Sequence, residues 1–140
     1  MLVLALVNDL YIYIMRLKQV KQIDLTQLEA LYSQVGWSPR KLQQLMRQSW
    51  LCLALYQNHQ LIGFARVVSD HTWNATIWDV VIHPAYQRKG LGKYLVYQMI
   101  RWIKQHNVIH ISLFAESRAV TFYQRIGFEV VANAKAMFWC

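Results

Sequence analysis

The sequence predicts one α/β domain of the α+β kind: a single mixed, mostly antiparallel sheet with helices on both faces and two central strands running parallel. Three observations predict it. Apolar runs at 50–56 and 61–68 flank the polar break Gln57-Asn58-His59-Gln60, which reads as an antiparallel hairpin. An apolar run at 76–82, a helical pattern at 90–106 and a second apolar run at 108–115 read as a strand–helix–strand crossover, whose strands lie side by side in parallel. Two more helical patterns precede the hairpin, so helices are available to both faces of the sheet.

The elements follow in order. Residues 2–7 are apolar but broken by Asn8-Asp9, far short of a bilayer span, with no basic flank and no small-residue cleavage site. They predict neither a signal peptide nor a membrane anchor. No Arg- and Ser-rich transit segment is expected either, and Met15 is a second candidate start. Residues 10–20 alternate loosely and read as a strand. Asp24 caps a helix carrying Leu25, Leu28, Leu31 and Tyr32, closed by Gly36. A second short helix is expected directly after Ser38-Pro39, with Ser38 as cap, Pro39 in the first turn, and Leu42, Leu45 and Met46 on one face.

After the hairpin, 69–74 is loop-like. The strand at 76–82 is apolar on both faces, which signals burial within a covered sheet, and ends at His83-Pro84. The 90–106 helix has a stripe of Leu91, Leu95, Met99, Trp102 and Ile103. A shorter helix at 118–126 stops at Gly127, a natural left-handed end, with Phe128 packing back. Residues 129–140 are expected to supply one or two final strands.

Composition narrows the class. The 140 residues carry 15 Lys plus Arg against 7 Asp plus Glu, a formal net charge of +8, and are 56% hydrophobic and 16% charged, which excludes disordered, collagenous and coiled-coil proteins. Such a length, with six Trp, eight Tyr and five Phe to bury, suits one domain over 1–140 with its core about 11–131. Cys52 and Cys140 are too few for a disulfide framework or a metal cluster. His106 and His110 are four apart across a helix end with no acidic companion, so no metal is expected. The basic residues gather at Arg16, Lys18, Lys21, Arg40, Lys41 and Arg47, and again at Arg88, Lys89, Lys93, Arg101 and Lys104. An anionic partner suits some of them, while most are ordinary solvated charges.

The segment Gln87-Arg88-Lys89-Gly90-Leu91-Gly92-Lys93 lies between a buried strand and an amphipathic helix. Two glycines, unpaired N–H groups in a first helical turn and three cations suit a pyrophosphate. It is no P-loop, because Tyr94 follows Lys93, and no dinucleotide fingerprint, because Leu95 stands where a third Gly belongs. There is no Gly-x-Ser-x-Gly elbow, and Cys52 lacks a base partner.

The longer string Asp79-Val-Val-Ile-His-Pro-Ala-Tyr-Gln-Arg-Lys-Gly-Leu-Gly-Lys93 resembles the acetyl-CoA-binding motif of the Gcn5-related N-acetyltransferases (GNAT), and Phe122-Tyr123-Gln-Arg-Ile-Gly127-Phe128 resembles their second motif. Within that family the chain is similar to the serotonin N-acetyltransferases of plastids and cyanobacteria, through Ile77-Trp78-Asp79-Val80-Val81, Asn74-Ala75, Phe64-Ala65-Arg66 and Ala115-Glu116. Some plastid relatives in that group also acetylate protein lysines and N-termini. The resemblance implies a GNAT fold with its parallel strands splayed, acetyl-CoA as co-substrate and no metal. It implies a small-molecule or protein amine as the other substrate, most of all an arylalkylamine such as serotonin or tryptamine. The implied location is the plastid stroma, or the cytoplasm of a cyanobacterium. No membrane or nucleic-acid partner is implied, and a homodimer stays open.

Site residues follow from the same motifs. The backbone of Val80, Val81 and Ile82 is implied to pair with the pantetheine arm, and Gln87, Arg88, Lys89, Gly90, Leu91, Gly92 and Lys93 to hold the pyrophosphate, with Phe122 beside the cofactor. Asp79 is the sole carboxylate in its apolar run, so burial would raise its pKa and suit it to deprotonate the amine; the alternative is a structural Asp tied to backbone or an Arg. Tyr123 is implied to protonate the leaving thiolate. Glu116 departs from the Asn common in the family near that point and is read as attracting the amine or assisting its deprotonation. Trp78, Phe114, Trp73 and Trp37 are candidates for an aromatic face that takes a flat amine, against ordinary core packing. The competing class is a binding module, either a silent CoA-binding domain or a basic domain docking nucleic acid; no nucleic-acid motif accompanies the charge.

Overall fold

The computed structural model describes the backbone of residues 2–7 and 11–140, and side chains from Met15 onward. Among these, six strands form one sheet in chain order: β1 (Leu2–Val7), β2 (Tyr11–Gln19), β3 (Leu51–Gln57), β4 (Gln60–Ser69), β5 (Asn74–Ile82) and β6 (His110–Leu113). The first five run antiparallel to their neighbours, and β6 joins β5 in parallel. The helices are α1 (Leu25–Gln34), α2 (Leu42–Gln48), α3 (Leu91–Gln105) and α4 (Val120–Ile126).

Local chemistry accounts for the boundaries. The Asp24 carboxylate accepts from the N–H groups of Thr26 and Gln27 and starts α1. Asn58 and His59 both take positive φ, 46° and 70°, the geometry of a tight two-residue hairpin that matches strand twist. Gly127, at φ +117°, ends α4, and the N–H of Phe128 returns to the carbonyl of Tyr123.

Two layers of core sandwich the sheet. Leu91, Leu95, Val96, Met99 and Ile103 of α3 pack on Leu53, Leu55, Ile62, Ala65, Val67 and Ile77. The opposite face carries Leu28, Leu31 and Tyr32 of α1 and Met46 of α2 against Ala54, Leu61, Phe64 and Val81. Each fully buried Leu, Ile or Met is worth about 1.5–3 kcal/mol, so the α3 stripe is the largest single anchor of the crossover. Of the expected stripe, Trp102 alone lies at the rim, stacked on His106 at 3.8 Å and edge-on to Trp50 at 4.7 Å.

Several expectations are corrected. The helix after Ser38-Pro39 begins later, at Leu42, and Lys41 precedes it in the left-handed region at φ 58° without a side-chain cap. Trp37 explains the delay: its N–H bonds the Tyr32 carbonyl and its ring packs edge-on to Tyr32, so the chain is still tied to α1 there. Residues 2–7, assigned no element from sequence, form β1 along the free edge of β2. Residues 129–140 form no strand; a turn bond from Ala134 N–H to the Val131 carbonyl is the backbone pairing there, and Val130, Val131, Met137, Phe138 and Trp139 are exposed. Apolar residues confer strand propensity, but a strand needs a ladder partner. With no closing strand beside β6, the parallel pair stands at one end of the described sheet.

Candidate functional site

The site grows from an irregularity in β5. In the pairing with β4, Phe64 faces Val81 and Arg66 faces Trp78, so β5 holds one residue more than its partner across this span. Asp79 sits in it at φ 55°, the left-handed conformation that Asp tolerates better than most residues. The extra residue shifts the alternation. Before it Ala75 and Ile77 point into the α3 core; after it Val80 and Ile82 do, while Val81 joins the α1 face. Trp78 and Asp79 therefore share the α1 side of the sheet.

Asp79 is held by two partners. Arg66 donates from Nε to Oδ2 at 2.6 Å, and the Tyr32 hydroxyl donates to the same oxygen at 3.1 Å. The Arg66 and Asp79 side chains are 12% and 23% exposed, so the pair is sheltered but reachable. The Arg66 guanidinium also donates to Ser49 Oγ and lies 5.9 Å from the Trp78 ring centre. Burial and the adjacent Asp79 carboxylate push the Tyr32 phenol well above its ordinary value, keeping it a proton donor in this bond. Asp79 is thus tied to an Arg, as in the structural alternative weighed from sequence, and is oriented by Tyr32 as well. Arg66 and Tyr32 were not recognised as site residues. A charged residue inside the apolar 61–68 run was the available signal for Arg66; Tyr32 looked like one more core position of α1.

Beyond Ile77, which faces Leu113, β5 has no ladder partner on the β6 side, so its backbone over 78–82 is an unpaired strand edge. The chain continues from that edge through a short 3-10 turn, Pro84–Tyr86, to residues 87–93. Gln87 donates from Nε2 to the Ile82 carbonyl at 2.9 Å, spending its side chain on closing this corner. Tyr86 hydrogen-bonds Gln57, and Lys89 lies over the Tyr86 ring at 5.6 Å. Arg88 and Gly90 take positive φ, 60° and 79°. The first helical bond of α3 runs from Tyr94 N–H to the Gly90 carbonyl, and no side chain caps the helix, which leaves the preceding amides of the first turn directed outward. Leu91 is buried and serves the turn by anchoring it. At Gly92 a Cβ would stand 3.3 Å from Phe122 Cζ, so α3 and α4 meet here at a spacing that only Gly fits without adjustment. A free strand edge ending at cationic, unpaired helix amides fits an amide-bearing arm that ends in a pyrophosphate.

Tyr123, on α4, packs edge-on to Phe122 and Phe128 at 4.9 and 5.9 Å. Its half-buried phenol is raised above its ordinary value by desolvation, and its hydroxyl has no hydrogen-bond partner among the described residues. Glu116 instead pairs with Arg118 at the surface, at 2.9 Å. The four candidate aromatics separate. Trp78 and Phe114 pack 5.4 Å apart beside Asp79, and Trp37 reaches Asp79 only through Tyr32. Trp73 precedes the far end of β5, stacked on His110 at 4.7 Å, where an Asp70 turn fixes it.

Comparison with known proteins agrees with this geometry. The model of the acetyltransferase (GNAT) family matches residues 18–128. An uncharacterized N-acetyltransferase ycf52 of Pyropia yezoensis is 43% identical over 127 residues, covering 85% of this chain and 73% of that protein. The histone acetyltransferase TAP1 of Glycine max is 40% identical, covering 84% of this chain and 57% of its own length. GCN5-related N-acetyltransferase 2, chloroplastic, of Arabidopsis thaliana is 39% identical, with coverages of 84% and 55%. Among solved structures, a GNAT family acetyltransferase from Streptococcus pneumoniae superposes with a TM-score of 0.81 at 25% identity, covering 90% of this chain and 97% of that one.

Proposed function

Since the chain belongs to the GNAT family of N-acetyltransferases, acyltransferases that draw on acetyl-CoA, we propose that it transfers acetyl directly to a primary amine carried on a flat aromatic group, an arylalkylamine. The observation that carries the reading is the continuous track from the unpaired β5 edge over 78–82 to the free first turn of α3. Backbone groups of Val80, Val81 and Ile82 satisfy the amides of the pantetheine arm. Gly90, Leu91 and Gly92 present amides to the pyrophosphate, and Arg88, Lys89 and Lys93 add charge.

In the reaction the amine nitrogen bonds to the thioester carbonyl carbon and the C–S bond breaks. Asp79, oriented by Arg66 and Tyr32, draws in the ammonium and receives its proton directly or through water. A backbone N–H near Val81 polarises the carbonyl oxygen. Tyr123, kept protonated by burial, gives its proton to the departing sulfur. The nitrogen sheds a second proton after attack, which restores Tyr123, so ammonium and acetyl-CoA give amide, free thiol and the proton taken by Asp79. Trp78 and Phe114, adjoining Asp79, support an aromatic carrier.

A second reading, a protein lysine or N-terminal amine as acceptor, is favoured by the name of the soybean relative and by the exposure of Phe114, which leaves room for a chain to approach. The chloroplastic name of the Arabidopsis relative supports the plastid stroma as the place of action, with the cytoplasm of a cyanobacterial cell as the equivalent setting. Thiol release from acetyl-CoA with serotonin, tryptamine, spermidine and lysine peptides, against a no-amine blank, tests the proposal. Turnover with indole amines is expected. Turnover with peptides alone selects the second reading, and CoA binding without amine-dependent release would overturn both in favour of a silent binding domain.

A further inference from the structure

Segment 129–140 contributes no strand, yet one of its residues returns to the site. The Phe138 ring centre lies 6.1 Å from that of Phe114, which lies 5.4 Å from Trp78, and both contacts are tilted, within the range of attractive ring pairs. The three rings form a continuous row that begins next to Asp79 and runs outward to solvent. Phe114 is 56% exposed and Phe138 73%, so the row has open ring surface to offer. Core packing does not account for Phe138: neither buried cluster of the protein includes it. The Arg66 guanidinium lies over the Trp78 ring at 5.9 Å and also grips Asp79, so ring row and carboxylate adjoin one side chain.

We propose that Phe138 is a specificity-determining residue, the outer ring of an aromatic wall formed by Trp78, Phe114 and Phe138 that seats the flat part of the amine while its nitrogen is directed at Asp79. This rests on the acetyl-transfer reading for its consequence in turnover, though not for binding. The wall explains how an exposed site discriminates: an aliphatic amine of equal length meets the same carboxylate but gains little from ring faces. Because Phe138 is mostly in solvent, its removal alters the wall without opening a core cavity.

The test compares tryptamine with n-hexylamine in wild type, Phe138→Ala and Phe138→Trp, in the full chain. One aromatic contact is worth about 0.5–1.5 kcal/mol, so Phe138→Ala should lower kcat/KM for tryptamine about two- to twelvefold, chiefly through KM. The n-hexylamine value and the acetyl-CoA KM should stay within about twofold, and Phe138→Trp should restore tryptamine use. Equal falls for both amines, or no fall for either, would overturn the proposal. Equilibrium dialysis of labelled tryptamine with CoA present asks the same question without turnover. Weaker retention by Phe138→Ala supports the wall even if no amine is acetylated, whereas retention equal to wild type, or no retention by wild type, refutes it.

Discussion

Replacing Asp79 with Asn removes one charge while keeping the side-chain shape, the tolerance for φ 55° and an oxygen to accept from Tyr32. What is lost is the ionic part of a 2.6 Å bond to Arg66, whose side chain is only 12% exposed and has little water to turn to. A hydrogen bond to a charged group contributes about 1.5–3 kcal/mol, and breaking a fully buried pair costs about 3–5. With Asp79 still 23% exposed, a cost of about 2 kcal/mol follows for Asp79→Asn. Arg66→Met, which leaves the carboxylate with Tyr32 alone and strips the cation from Trp78, should cost about 2–3 kcal/mol. The double variant orphans neither charge, so it should lose about as much as either single one, giving a coupling of about 1.5–2 kcal/mol. Urea unfolding at neutral pH, followed by circular dichroism, measures all four corners of the cycle. With a urea slope of about 2 kcal/mol per molar, each single change should move the midpoint by about 1 M. Additive effects in the double variant, or single costs below about 0.5 kcal/mol, would show that the pair is a surface contact and that the bulge is held by other means.

Two further outcomes follow. Tyr123→Phe should lower kcat about 100-fold or more with little change in either KM, since no hydrogen bond among the described residues is lost. Burial raises this phenol, so its protonated form is the favoured folded state and its contribution is lost only as pH rises through the raised value; the alkaline limb of kcat should lie above the ordinary 10 and vanish in the variant. Asp70 runs the opposite way: its Oδ1 accepts from the N–H groups of Thr72, Trp73 and Asn74, and these bonds hold its carboxyl down to about 2. Its support of the turn is present above the ordinary carboxylate range and fades as pH falls toward 2, so hydrogen exchange at those three amides should quicken there, and in Asp70→Asn already at neutral pH.

What could be read in the residues was local. Asp24, the Asn58-His59 turn, the α3 stripe and Gly127 each act on their own few neighbours, and each lies where its chemistry places it. The two misplaced ends have a common cause, because β1 and the 129–140 segment depend on whether another strand offers an edge, and no pattern within either stretch carries that information. The site behaves likewise. The loop-to-helix turn at Gly90-Leu91-Gly92 was legible because its parts adjoin in sequence. Arg66 and Tyr32 were not, since they lie 13 and 47 residues from the Asp79 they hold. The bulge itself was hidden by a run apolar on both faces, where a slipped beat leaves no polar residue out of step.

That slipped beat gives β5 two grammars. Up to Ile77 the odd positions belong to the α3 core, and from Val80 onward the even ones do, so substitutions tolerated at a given parity in one half are forbidden in the other. Trp78 and Asp79 stand at the junction, Trp78 as the last beat of the first rule and Asp79 as the extra one. Selection can therefore rewrite Trp78 without touching the letters that keep the sheet closed, whereas Asp79 also holds the bulge through Arg66.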